Sequence, residues 1–506
     1  MTFGNWKQFS AAAGLIGVFG APAMADVTAM DVWESWKANA EAIGQSVSVR
    51  GQSMQGDTLI LQDVAMSMEM PEVTASGTIS QLKLVERRDG TVAITMSSDI
   101  PYSMSVDPAQ GESVDMAMII SQRGTTIIAS GDPDAISYEY RADEIAMIFD
   151  KFIVNGEDIP ADLTFQMTDV EGTNVSRIGD GYSADGTFSA ARLEMGFEIE
   201  DPNEAFSVSM SGIIENLSGD SHAQYPADAD FGNPQMLFSD GFESSGNFSV
   251  GRSSYSVTAS HEYSASAMSG TSESGELSFK LGGGVIDYSG SSTGDEFQIQ
   301  TSDLPIGPLS FGIAKTAFRF AMPMAETEQA AEFASMMRIE GLEIDQMIWG
   351  MFDPGAVLPR DAADIVFDVT GKLRWLFDLT DPEQAARIEA SGDMPVEIYE
   401  MNLNELRIAV LGAEVNGTGA LTFDNEDLYT FDGIPAPSGG IFLNIIGVNT
   451  LLDRLTDLGY MTPDVVMGAR MMLGILARPG DGEDRLISEI QVFPDGRVLA
   501  NGQPLP

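Results

Sequence analysis

Residues Asp57 to Met70 read DTLILQDVAMSMEM. Val64, Met66, Met68 and Met70 fall on one face of this run, and Ala65, Ser67 and Glu69 fall on the other. A period of two is the signature of a half-buried strand, because successive side chains of a pleated chain point to opposite faces. Working outward, a second strand spans Gly77 to Glu86 and a third spans Thr91 to Ser97, with Arg88-Asp89-Gly90 between them. Asp-Gly between alternating runs is a strong hairpin signal. The same period returns in Phe206, Val208, Met210, Gly212 and Ile214 against Ser207, Ser209 and Ser211. It returns again in Leu277, Phe279 and Leu281, and in Phe318, Phe320, Met322 and Met324. The stretch from Ser239 to Ser302 is rich in Ser and Gly, but Phe248 with Val250 and Tyr255 with Val257 alternate, so it reads as polar-faced strands rather than a linker. Together these runs predict a mainly β protein, built of large curved antiparallel sheet with one apolar and one wet face.

A few helices punctuate the strands. Val32, Trp33, Trp36, Ala40 and Ile43 recur at helical spacing, predicting a helix over Ala29–Ile43 stopped by Gly44. Ala330, Phe333, Met336 and Met337 predict a second over Glu326–Met337, and Asp345–Phe352 a short third. Two more are expected at Asn449–Leu458 and Pro463–Leu476, the latter with Thr462 as N-cap and Pro463 in its first turn. Strands are expected at Ile365–Leu379, at Leu406–Leu411 paired with Ala413–Phe423, and in a final hairpin turning at Pro494-Asp495-Gly496. The expected organisation is a signal peptide over 1–25, an N-terminal β-rich part over 26–325 and a C-terminal β-rich part with capping helices over 326–506, forming one extended body. The signal reading rests on Lys7, the short apolar run Ala11–Gly20 and Ala23-Met24-Ala25, with cleavage between Ala25 and Asp26. It places the mature chain in the periplasm, with no later transmembrane segment.

Composition narrows the chemistry. The 506 residues carry 26 basic and 76 acidic side chains, a formal charge of −50, with two histidines and no cysteine. Disulfides, thiolate nucleophiles and cysteine metal sites are excluded, and so polyanionic a chain repels nucleic acid. His222 and His261 lie in Ser/Gly-rich surface-like sequence and read as dispensable. Gly290-Ser291-Ser292-Thr293-Gly294 matches G-x-S-x-G, but strands flank it where a nucleophile elbow needs a strand–turn–helix. Gly179 to Ala184 imitates a dinucleotide-binding glycine string, with no helix following. The acidic run Asp424-Asn425-Glu426-Asp427 with Asp432 lacks calcium-loop spacing and reads as a solvated turn. No cofactor, metal or catalytic residue is expected. The methionines are the unusual feature. Met66, Met68 and Met70 on a strand, and Met467, Met471 and Met472 on a helix, read either as ordinary core or as an adaptable apolar surface for lipid.

Several motifs carry a resemblance. Leu403-Asn404-Glu405-Leu406-Arg407, Gly417 to Asn425 (GTGALTFDN), Phe431 to Pro437 (FDGIPAP), Met467 to Met472 (MGARMM), Ala500 to Gln503 (ANGQ) and Trp349 to Pro354 (WGMFDP) resemble alphaproteobacterial exported proteins of domain-of-unknown-function family 2125, as does the opening Asp31-Val32-Trp33. The resemblance implies an envelope location and carries no catalytic residue. The overall pattern is also similar to β-rich AsmA-like envelope proteins, which are associated with lipid movement. The resulting expectation is a non-enzymatic periplasmic protein that binds or transfers lipid or another amphiphile on an apolar sheet face, with Val64, Met66, Met68, Met70, Phe318, Phe320 and Met322 as its lining. The alternative is an envelope scaffold whose sheet is filled by its own side chains and helices, and a carboxylate-dependent hydrolase stands third.

Overall fold

A computed structural model of the protein describes residues 27–42, 44–70, 72–108, 111–179, 181–201, 206–227, 229, 241–303, 307–324, 329–376, 384 and 396–505. The signal-like segment 1–25 with Asp26 lies outside them, as do Ile43, residues 326–328 and residues 377–379. Strands make up 69% of the structure and helices 10%, so the protein is mainly β. Two compact units divide the chain: residues 1–269 with 301–305, and residues 270–300 with 306–506.

Unit 1 opens with helix α1 (Ala29–Ala42), whose first turn is closed by Thr28 and Asp31. Thr28 N–H and Oγ1 donate to Asp31 Oδ2, and Asp31 N–H donates back to Thr28 Oγ1, a reciprocal cap. There follow β1 (Gln45–Gln55), β2 (Thr58–Met70), β3 (Val73–Glu86), β4 (Val92–Met96), β5 (Asp99–Val106), β6 (Val114–Arg123), β7 (Thr126–Asp132), β8 (Ala135–Val154), β9 (Glu157–Asp158), β10 (Ala161–Ile178), β11 (Gly181–Asp201), β12 (Phe206–Pro226), β13 (Glu243–Val250) and β14 (Ser253–His261). β15 (Ser264–Ser272) spans the unit boundary. Antiparallel ladders run from β1 to β2, β3, β5, β6, β8, β10, β11 and β12 in turn.

The contacts of the helix reveal the curl of this sheet. α1 runs antiparallel to β1: Met30 receives a contact from Gln52 at 3.8 Å, and the helix ends where β1 begins. Its axis therefore lies along the strands. Yet α1 also touches β10 and β11, and Asn39 Nδ2 donates to Ser176 Oγ on β10 at 3.0 Å. Flat, the six ladders from β1 to β10 would span roughly 29 Å, against about 10–12 Å for a helix with its side chains. The sheet must wrap the helix. Val32 and Trp33 are buried in that wrap with Leu59, Leu61, Val64, Ile79, Leu82 and Leu84.

In the long strands the inward face changes parity partway along. Leu59 and Leu61 share a core with Val64 and Met66, so the step across Asp63 is three residues rather than two. Phe165 and Met167 precede Val170 across Asp169, and Ile214 precedes Leu217 around Asn216. Asp63, Asp169 and Asn216 all take left-handed backbone angles, with φ of 50°, 50° and 53°. Asn and Asp tolerate that conformation better than other side chains.

Unit 2 contains β16 (Ser274–Gly282), β17 (Val285–Thr301), β18 (Leu309–Pro323), β19 (Ala331–Ile344), β20 (Ala363–Trp375), β21 (Val396–Val410), β22 (Ala413–Asp424), β23 (Ala436–Ile446), β24 (Arg478–Pro479), β25 (Arg485–Val492), β26 (Val498–Ala500) and β27 (Gln503–Pro504). β16 to β23 pair antiparallel, each with the next in sequence, and β25 joins β23. Its helices are α2 (Gln346–Phe352), α3 (Val448–Asp457) and α4 (Pro463–Leu476). The expected helix over Glu326–Met337 is corrected: from Ala331 its described residues form β19. β18 and β20 pair with β19 on its two sides, and two ladders outweigh a weak local helical preference.

Candidate functional site

An open apolar surface of unit 2 is built from cross-strand rows. Leu277 of β16 lies opposite Gly290 of β17, Gly290 opposite Phe318 of β18, Phe318 opposite Met337 of β19, and Met337 opposite Phe367 of β20. Two residues along, Tyr288 faces Phe320, and its ring stacks on Phe279 at 6.0 Å. Leu277, Tyr288, Phe318, Phe320, Met337 and Phe367 are between 42% and 48% exposed, where a packed core would hide them. Gly290 makes this geometry possible: a Cβ there would sit 2.6 Å from the Phe318 ring, so only glycine lets that ring lie down on the sheet. The reverse face of the same strands is charged, with Arg319 bridging Asp287 at 2.9 Å and Arg338 bridging Glu405 at 2.7 Å. Alternation keeps those two ion pairs off the apolar row, whereas the buried Asp295 carboxylate reaches Ser292 and Thr316 on the row's own face. Phe318, Phe320 and Met322 therefore share one surface as their spacing implies, and Met322, half-buried, faces Ile286.

In unit 1 the residues expected to line a lipid face separate into two settings. Val64 is buried and Met66 packs against the same core, under α1. Beyond the core, Met68 lies opposite Ala75, Ala75 opposite Met104, Met104 opposite Met116, and Met116 opposite Phe152. These methionines are half-buried, as is Met70. On the other side of the same strands Ser76 bonds Ser103 at 2.9 Å and Ser105 donates to Asp115 at 2.5 Å. These side chains, with Lys151, wall an open trough of about 520 Å³. Its floor is the backbone of the methionine row, so the trough belongs to the polar face.

The chemistry-bearing residues are engaged locally. His222 Nδ1 contacts Asp185 Oδ1 at 2.8 Å across the β11–β12 ladder, and Arg177 Nη1 donates to Asp185 Oδ2 at 2.6 Å. Arg177 first, then His222, hold the Asp185 carboxyl below the usual range. His261 is exposed at the end of β14. Ser292 sits within β17, paired on both sides, and donates to buried Asp295 at 2.5 Å. In the 424–432 turn, Asp427 accepts from Tyr429 N–H, Thr430 N–H and Thr430 Oγ1, so its carboxylate closes its own turn and is held low chiefly by Thr430. Among the described residues, no three His, Asp or Glu side chains gather as a metal-ligand set.

Tyr102, Met104, Met116 and Phe152 were not singled out by sequence, nor were Met337 and Phe367 as partners of Phe318. Alternation does mark Ile100, Tyr102 and Met104, so that signal was available. No curated protein and no solved structure matches the chain. One protein family does match, described as an uncharacterized protein conserved in bacteria, DUF2125, over just under half of the chain. The match to the DUF2125 family falls on residues 256–506, which hold β16 to β27 and the exposed Phe318–Met337–Phe367 row.

Proposed function

We propose that the protein is a non-enzymatic periplasmic protein that holds lipid or another amphiphile against an apolar sheet face. The open apolar row across β16 to β20 carries this reading. Six large apolar side chains half exposed on one sheet surface exceed the scattered apolar exposure normal for a soluble protein, and a contiguous patch of this kind marks a binding surface. Each methylene laid on it contributes about 0.8 kcal/mol before the costs of association, so an acyl chain of ~14 carbons is a sufficient ligand. The aromatic rings and Met337 suit a ligand without fixed shape. The signal-like 1–25 segment supports the compartment.

A scaffold role draws on a different observation: in unit 1 the wrapped face around Val64 and Met66 is filled by α1 itself. Native mass spectrometry of gently purified protein separates the two. The wild type should retain bound amphiphile, and Phe318→Glu with Met337→Glu should lose it while keeping its far-ultraviolet circular dichroism, because both side chains already face solvent. A wild type that carries no lipid and takes none from vesicles establishes the scaffold instead.

A further inference from the structure

Helix α4 is apolar on its outside. Of its buried positions Val466 is the one that anchors it, whereas Val465, Met467, Met471, Met472 and Ile475 are between 49% and 62% exposed. Its own stabilisation is thin. Gly468 and Gly474 face open space and are poor helix formers beside alanine, and Thr462 makes no side-chain cap. Such a helix gains by being covered. The question is what covers it.

Charge and hydrogen bonding answer. Arg470 is exposed, but its guanidinium is held within the unit, pairing with Asp453 at 2.8 Å and donating to the Asn449 carbonyl at 3.2 Å. Apart from Arg470, the exposed side chains from Val465 to Ile475 are those of Val, Met and Ile, and none of them offers an N–H or O–H donor. A protein interface, including one with a second copy, carries about one hydrogen bond per 100–200 Å². Hydrocarbon asks for none, because a helix satisfies its own backbone. In a chain with 76 acids, residues 465–480 contain none. Arg478 and Tyr460, both exposed, flank the helix in the chain, residue types that suit headgroup phosphate and the interfacial layer, although the Tyr460 hydroxyl donates to the Phe352 carbonyl at 2.6 Å. At 14 residues the helix is about 21 Å long, too short to span a bilayer. We infer that α4 docks in the plane of a zwitterionic lipid surface, with its methionines in the acyl boundary. The −50 charge elsewhere makes anionic membranes the poorer target. The inference stands without the amphiphile-carrier reading, since a protein can lie on lipid without transporting it.

Flotation of the full chain with phosphatidylcholine vesicles tests it. The wild type should float, and replacing part of the phosphatidylcholine with phosphatidylglycerol should reduce the floating fraction. Met467→Glu with Met471→Glu should cut flotation at least about tenfold, because two charges must enter the apolar boundary. Met467→Ser with Met471→Ser should give a smaller loss, and Tyr263→Glu, on an exposed turn outside the helix, should give none. Hydrogen exchange at 465–475 should slow when vesicles are added to the wild type, which decides the matter even if a variant folds poorly. A wild type that stays unbound overturns the inference, as does a glutamate variant that floats normally. So does sedimentation equilibrium showing a dimer that the glutamate variant dissolves while neither protein floats.

Discussion

Tyr138 puts a phenol inside the wrapped core of unit 1. Its Oη donates to Ser35 Oγ at 3.4 Å and its ring lies 6.5 Å from Trp36, both on α1. Burial pushes its pKa up to about 12 from 10.0, the Ser35 contact opposing only in part. The sign of the consequence is fixed. Below pH 10 the residue is neutral in both states and its contribution is whole. Between 10 and about 12 the unfolded chain releases the proton while the native chain keeps it, so stability falls as pH rises. Two units correspond to roughly 2–3 kcal/mol. Urea midpoints at pH 9 and above pH 11 should show this loss, and Tyr138→Phe should reduce it by this residue's share, because burial also raises Tyr140 and Tyr182. Residue by residue, the sequence speaks clearly where alternation is local. Phe318 and Phe320 declare a shared face from their spacing alone. Met337 and Phe367 join them only through ladders to two other strands, and no local pattern records which strands will pair.

At the scale of elements, helices that bury a stripe were legible and so were hairpins. α1 follows the spacing of Val32, Trp33 and Trp36, and Pro463–Leu476 is a helix with the bounds its sequence implies. β19 was not legible. Phe333, Ser335 and Met337 alternate as well as Ala330, Phe333 and Met337 recur, and the ladders on either side decide between the two periods. The parity change in long strands was likewise hidden, because a strict period of two cannot seat Leu61 and Val64 in one core. Asp63 supplies the missing turn of the chain with its φ of 50°. Asp63→Gly should therefore be nearly neutral in chemical denaturation, while Asp63→Val should cost about 1–2 kcal/mol, since a β-branched side chain resists that conformation. Equal stability of the two variants would remove the parity argument.

For the molecule as a whole, excess negative charge is the dominant long-range term. With 76 acids and 26 bases, most carboxylates have no cationic partner to pair with, and their mutual repulsion opposes compaction. Salt shortens its range to about 10 Å at 0.1 M. Melting temperature should accordingly rise between 10 mM and 0.5 M sodium chloride, and a flat or falling profile would show the repulsion to be spent in the unfolded state. The helix wrapped by the sheet has one more effect, on the order in which the chain is made. α1 is synthesised before the strands, yet two of those that enclose it, β10 and β11, come more than a hundred residues later, and Asn39 waits for Ser176. Unit 2 has no such debt from β16 to β23, where each strand meets its predecessor as it emerges. Unit 1 thus stays unfinished longer than the run of strands in unit 2, its two tryptophans sheltered by β2 to β8 while Asn39 stays unpaired until the tenth strand arrives.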